Sequence, residues 1–297
     1  MWHDSTPPSS RRAASGTGTL TPFVFAVVLA AAVLHASWNA LLKSGGDRFR
    51  SITAMTAAAS LASLPTLAFL PLPRAAAWPA VALSAALHLG YNLALVRSYR
   101  HGDLGQVYPL ARGSSPLLVL VGAFLTTGEW PHPVAVGGMV LVCGGIVGLA
   151  RGWGAAARRG VPAALTTGCF IAAYSVTDGV GGRLSGHPLS YAMWLFALDG
   201  LPMLALYYVA RRNRPALLSA DRETAKAVMG GLVSLVAYTG VIWAASVSPM
   251  GPVSALRETS VVFAALIGRF ALRETLTIWR LACCLGVAVG AVLLAVG

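Results

Sequence analysis

Ten long apolar blocks, separated by short polar connections, run through the chain. The uncharged stretches predict membrane-crossing helices at Thr21–Leu42, Ile52–Leu70, Trp78–Tyr99, Gln106–Thr127, Val134–Ala150, Val161–Gly179, Leu189–Ala210, Thr224–Val247, Gly251–Leu272 and Leu276–Gly297. Each is close to the ~20 apolar residues that cross a ~30 Å hydrocarbon core. The connections, among them Lys43 to Arg50, Arg97 to Asp103, Arg151 to Arg159 and Arg211 to Lys226, carry nearly all the charge. Tight loops between long helices describe an all-α integral membrane bundle of ten transmembrane helices. Met1–Leu20, rich in Ser, Thr, Pro and Gly, reads as a flexible tail. Its Arg11-Arg12 pair ahead of an apolar run has the look of a secretory or twin-arginine signal. Nine further blocks follow and the first carries polar residues at helical spacing, so a retained helix is expected.

Composition agrees with the pattern. Of 297 residues, 56% are hydrophobic and 11% charged, with a mean hydropathy of +0.69, whereas soluble domains carry about 25% charged residues. That balance excludes a soluble enzyme, a disordered chain and a disulfide scaffold. The 22 Lys and Arg against 10 Asp and Glu give a net charge of +12. These basic residues are scattered between apolar blocks instead of gathered on one face, so no nucleic-acid partner is expected. They orient the chain instead, because cytoplasmic loops collect Lys and Arg. Arg11, Arg12, Arg74 and Arg183 fall on one side and Arg112 and Arg257 within blocks, while the other sixteen follow the odd-numbered blocks. Both termini are therefore expected outside the cytoplasm, in a cell membrane such as the bacterial inner membrane. Cys143, Cys169, Cys283 and Cys284 all lie in apolar blocks without metal-ligand spacing and read as small buried hydrophobes, so no metal is expected.

Ionisable residues at span depth are costly and normally face a cavity or one another. Three blocks place aromatic and polar groups on one helical face, at i, i+3 and i+4. They are His35/Trp38/Asn39, His88/Tyr91/Asn92 and Tyr174/Thr177/Asp178. The fourth block adds Tyr108, Arg112 and Ser115, the ninth Arg257 and Glu258, and the seventh Asp199. A central aqueous cavity lined by these groups would satisfy them, with the aromatics stacking on a small organic substrate. The alternatives are interhelical hydrogen bonding for the His and Asn residues, packing for the aromatics and structural salt bridges for the charges, such as Arg257 with Asp199 or Glu258. Gly144/Gly148 and Gly286/Gly290 are small-residue pairs suited to close helix contact within the bundle or across a dimer, and Pro109, Pro116, Pro202 and Pro252 are candidate kinks.

The chain also repeats itself. Leu104–Trp130 lies over Met250–Thr275, with Gly105 on Gly251, Val107 on Val253, Ser114 on Ser260, Gly122 on Gly268 and, after a one-residue gap, Glu129 on Glu274. His35–Asp47 lies over Ile171–Arg183, with Trp38 on Tyr174 and Gly45-Gly46 on Gly181-Gly182. Five helices per repeat is odd, so the second repeat enters the membrane from the opposite side. The same register puts Arg112 on Glu258, and the inversion then predicts the two at opposite depths, Arg112 toward the cytoplasm and Glu258 toward the outside.

The PLARGSSPLLVLVGAFLTTGE stretch, and above all SALRETSVVFAALIGRFALRETLTIWRLACCLGVAVGAVLLAVG, resemble the EamA-domain branch of the drug/metabolite transporter superfamily. In such domains a small-residue, Pro-containing entry leads through an apolar run to Gly, then to a Glu just past the helix, as Gly122 with Glu129 and Gly268 with Glu274 do here. Arg257-Glu258 departs from the many members uncharged at that point. The resemblance implies a tail at 1–20, a first EamA-like five-helix repeat at 21–150 and a second at 151–297. It further implies a secondary carrier for a small organic metabolite or drug, not an enzyme, working without cofactor as a monomer or homodimer in membrane lipid. Its substrate cavity is expected at His35, Trp38, Asn39, His88, Tyr91, Asn92, Tyr108, Arg112, Tyr174, Asp178 and Arg257. Arg112 is expected to attract an anionic group, and Asp199 or Glu258 to carry protons. An ATPase-driven permease subunit and an intramembrane enzyme are the alternatives, but the chain has no GxxxxGK[ST] loop, no HExxH helix and no Gly-x-Ser-x-Gly setting.

Overall fold

A computed structural model of the chain describes residues 20–42, 47–101, 104–149, 155–210, 217, 221–271 and 277–297. Residues 1–19, Trp153 and Glu274 lie outside them, as does the side chain of Tyr108. The described residues form α1 (Pro22–Leu42), α2 (Arg48–Ser63), α3 (Trp78–His101), α4 (Leu104–Thr127), α5 (Pro133–Gly148), α6 (Ala155–Leu184), α7 (Pro188–Ala210), α8 (Arg222–Val247), α9 (Met250–Glu258), α10 (Ser260–Ala271) and α11 (Ile278–Val296). Short 3-10 turns at Leu64–Ala68 and Ala75–Ala77 join α2 to α3.

Helix ends follow local chemistry. Asp47, Asp221 and Thr277 cap α2, α8 and α11 by accepting from the backbone N–H of Arg50, Thr224 and Arg280, each satisfying a donor the helix leaves open. Gly128, at φ 72°, ends α4 and donates its N–H to Phe124 O at 2.9 Å, a left-handed cap that glycine adopts without steric cost. The second expected block stops at Ser63 because Pro65 tightens the chain into a 3-10 turn. The ninth is interrupted: Thr259 N–H turns back to Leu256 O at 3.1 Å, separating α9 from α10 directly after Arg257-Glu258. Pro252 falls in the first turn of α9, where no intrahelical N–H is needed, so it does not interrupt a ladder as expected. Pro109, Pro116 and Pro202 are accommodated within continuous helices.

Eight helical stretches among the described residues are long and apolar enough to cross a membrane. α5 is apolar but only 16 residues long, and Ser84, His88 and Asn92 lower the hydropathy of α3. Large apolar side chains face outward, including Phe69, Leu125, Phe270 and Ile278, while Arg112, Asp178, Asp199, Arg257 and Glu258 are buried. This inversion of the soluble pattern suits a protein whose surroundings are hydrocarbon. Cys143 and Cys283 are buried as expected, but Cys169 is exposed on the outer surface of α6.

The neighbours come in matched sets. α1 packs on α8 as α6 packs on α3; α4 packs on α6 as α9 and α10 pack on α1; α2 faces α7 and α5 faces α11. α5 and α11 approach through glycines: a Cβ on Gly290 would lie 2.7 Å from Gly138 O and 2.9 Å from Val142 N. Of the small-residue pairs, Gly148 and Gly290 make such contacts, whereas Gly144 and Gly286 have nothing within 4 Å and face outward. Since Gly290 meets rigid backbone, Gly290→Ala should cost ~1–3 kcal/mol in overpacking. Gly286→Ala should be neutral or slightly stabilising, by up to ~1 kcal/mol of helix propensity. Thermal unfolding of the two variants in detergent separates these outcomes.

Candidate functional site

The polar groups of α1, α4 and α9 meet at the centre of the bundle. Arg112 of α4 donates through Nε to Glu258 Oε2 of α9, and Arg257 donates to Glu258 Oε1 from Nε and Nη2 at 3.2 and 3.0 Å. One carboxylate is thus shared by two guanidiniums, with Glu258 fully enclosed and each arginine about 5% exposed or less. Arg112 Nη1 lies 2.6 Å from His35 Nε2. A guanidinium only donates, so this nitrogen is the acceptor and His35 is neutral, with its hydrogen on Nδ1. His35 also fixes its own helix face, taking Trp38 edge-on at 5.0 Å, while its carbonyl accepts from Asn39 Nδ2 at 2.7 Å.

Beside this cluster stands an aromatic wall. His88 stacks on Tyr174 at 4.2 Å, Tyr91 meets Tyr174 edge-on at 5.6 Å, and Tyr238 meets Tyr174 and His88 edge-on at 5.9 and 5.6 Å. Tyr238 joins the wall to the charges, because the Arg257 guanidinium lies 6.0 Å from its ring centre and its hydroxyl donates to Asp178 Oδ2 at 2.5 Å. Asp178 Oδ1 accepts from Tyr191 OH at 3.0 Å. His88 Nδ1 faces Ser84 O at 3.0 Å; a carbonyl only accepts, so Nδ1 carries the hydrogen. Ser175, Asp178, Tyr238, Met250, Ser254 and Arg257 line a cavity of about 10 Å³ between wall and charges, room for roughly one water. That space is far smaller than a site for an organic substrate.

One end of the bundle is tied shut. Glu129, just past α4, pairs with Arg183 near the end of α6 and accepts from Met250 N–H at 3.0 Å. Arg183 donates in turn to Ala245 O at 2.8 Å and Ser248 O at 2.9 Å. A carboxylate thereby meets the positive N-terminus of α9 and a guanidinium the negative C-terminus of α8. At the opposite end, Arg50 of α2 reaches Asp221 Oδ2 at 2.9 Å and Thr224 Oγ1 at 2.7 Å at the start of α8.

Residues 158–296 match the model of the EamA-like transporter family. That segment is similar to an EamA-like transporter domain. It supplies Tyr174, Asp178, Asp199, Arg257 and Glu258, whereas His35, His88 and Arg112 reach the same centre from helices before it. Twenty-nine solved chains match. One of them, a crystal structure described only as that of a protein, superimposes with a TM-score of 0.72 over 92% of this chain and 96% of its own, at 16% identity. That likeness shows a shared fold. No curated protein matches the chain. That similarity and the apolar helices support a multi-pass membrane protein.

Most residues singled out in the sequence converge here, with one correction. Arg112 and Glu258 do not sit at opposite depths; they touch. Each is the ninth residue of its helix, about 12 Å in at 1.5 Å per residue, which is near the middle of a ~30 Å core. Of the two partners open to Arg257, Asp199 and Glu258, the structure pairs it with Glu258. Asp178 is held by Tyr191 and Tyr238, of which Tyr191 carried no signal beyond being a tyrosine whose hydroxyl needs a partner if buried. The Glu129–Arg183 tie was also hidden, since both residues read as loop charges.

Replacing Glu258 by Gln leaves two guanidiniums buried without a counter-charge. Glu258→Gln should therefore lose ~3–5 kcal/mol of stability. Arg112→Gln added to it restores the net charge of the intact cluster and should recover part of that loss. A double-mutant cycle of unfolding in detergent measures both.

Proposed function

We propose that the chain is a secondary transporter that carries a small organic metabolite or drug across the cell membrane by alternating access. In this reading it is built from ten spans, arranged as two inverted five-helix repeats at 21–150 and 151–297. The observation that carries the proposal is the Arg112–Glu258–Arg257 cluster, a charged centre buried in the bundle. Fixed charges at such depth mark a pathway. The inverted repeat draws support from the neighbour sets, which survive exchange of the two halves, and from Arg112 and Glu258, which align in sequence and meet in space.

The chemistry of the centre suggests how a substrate is held. An anionic group on the substrate competes with Glu258 for Arg112 and Arg257, and the wall of His88, Tyr91, Tyr174 and Tyr238 stacks on its planar or apolar part. Asp199 and Glu258 are the candidates for proton coupling. No cofactor or partner ATPase is needed in this reading. The excess of Lys and Arg in the loops after the odd-numbered blocks puts the Glu129–Arg183 end, and both termini, outside the cytoplasm.

Purified protein in proteoliposomes, screened with labelled small organic substrates with and without a pH gradient, tests the reading directly. Transport without ATP is expected. Transport that appears only when an ATPase is added overturns it in favour of a permease subunit.

The tied end gives a second expectation. In a background without native cysteines, Arg183→Ala should increase labelling of Ser254→Cys by a membrane-impermeant thiol reagent added on that side. Equal labelling with and without Arg183 would show that the tie does not guard the cavity.

A further inference from the structure

Three carboxyl groups are buried among the spans, and their surroundings differ. Glu258 accepts from Arg112 on Oε2 and from Arg257 on Oε1. Asp178 accepts from Tyr191 on Oδ1 and from Tyr238 on Oδ2. Each oxygen of these two carboxyls accepts from at least one donor, and hydrogen bonds donated to a carboxylate favour its charged form. Asp199, midway along α7, is 8% exposed, and its Oδ1 is enclosed without any hydrogen-bond partner. The adjacent Gly200 N–H is taken by Ser60 Oγ at 3.0 Å. A carboxylate oxygen buried with no donor is strongly disfavoured, and a proton on that carboxyl removes the charge that burial penalises.

We propose that Asp199 is the group that takes up and releases the coupling proton, while Glu258 and Asp178, held by donors on both oxygens, are fixed parts of the site. This assignment rests on the secondary-transport reading above and narrows it to one of its two candidates. The groups around Asp199 fit the role. The ionisable side chains that act on it are His88 of α3 and Asp178 of α6. α2 presents only the hydroxyl of Ser60 and the Thr56 backbone where it meets Gly200. α8 brings Tyr238 against Phe196 of α7, with its hydroxyl already committed to Asp178. His88 turns its Nδ1 toward the carbonyl and hydroxyl of Ser84. The step balances simply: one proton from water forms an O–H bond at Asp199 when access is open to one side. The same bond breaks on the other side, and the carboxyl returns to its starting charge.

Infrared difference spectra of the reconstituted protein across a pH step read the carbonyl stretch of a protonated carboxyl without needing a substrate. The expected band is present in the intact protein, absent in Asp199→Asn and retained in Asp178→Asn and Glu258→Gln. Isotope-labelled aspartate should shift the band in the unmutated protein and labelled glutamate should not, which decides between Asp and Glu even where a variant fails to fold. No band, a band that persists in Asp199→Asn, a band that follows labelled glutamate, or one that responds to sodium and not to pH overturns the assignment. In flux assays, Asp199→Asn should lose pH-gradient dependence. If no substrate moves although the Asp199 band is present, the transport reading fails and the proton site stands.

Discussion

Two guanidiniums share one carboxylate in the middle of this protein, in surroundings with room for about one water. Moving a single ion of this kind from water to a medium of ε ≈ 4 costs of order 20 kcal/mol in the idealised limit, so the arrangement persists only because the carboxylate offsets part of the positive charge and the three groups hydrogen-bond directly. α4 brings Arg112, α9 brings Arg257 and Glu258, and α1 brings His35 as the neutral acceptor for the remaining guanidinium edge. The rest of the bundle is arranged around keeping those helices in contact. Glycines let α5 and α11 close on one another behind α4 and α9, Gly122 brings α4 within reach of Val176 on α6, and outward faces are left to large apolar side chains.

The same constraint gives the site its capacity to change. Glu258 holds both arginines only as long as nothing else offers them a carboxylate or phosphate, and the aromatic wall beside them is linked to the charges through Tyr238. A ligand entering there alters contacts on α3, α6, α8 and α9 at once. The break after Glu258 places a weak point in the helix ladder next to the charges. Ties made of helix-end charges, Glu129 with Arg183 and Arg50 with Asp221, sit at the two ends of the same bundle. Half-exposed ion pairs of this type are weak, which suits contacts that form and break.

Helices were legible in the chain because apolar blocks of membrane-spanning length leave few other solutions. The faces were legible too. His35/Trp38/Asn39, His88/Tyr91/Asn92 and Tyr174/Asp178 lie at helical spacing, and the structure brings His35, His88, Tyr91, Tyr174 and Asp178 to one centre. Depth was not legible. Arg112 and Glu258 each lie two turns inside a helix, and their side chains meet. Partners distant in sequence were also hidden: Tyr238 lies 60 residues from Asp178 and Arg183 lies 54 from Glu129. A periodicity argument sees one helix at a time, and these contacts exist only once α6 and α8 are packed. The break at Thr259 depends on a single backbone turn that hydropathy does not register.

Paired spin labels test the central claim most directly. One pair joins Thr127 to Ser248 at the tied end, and a second joins His101 to Thr224 at the other. A carrier predicts two populations, each with one distance long and the other short, alongside a state in which both are short. Both distances long in the same molecules would describe a continuous pore, and a single fixed pair of distances under all conditions, substrate and pH included, would describe a static scaffold; either result contradicts alternating access.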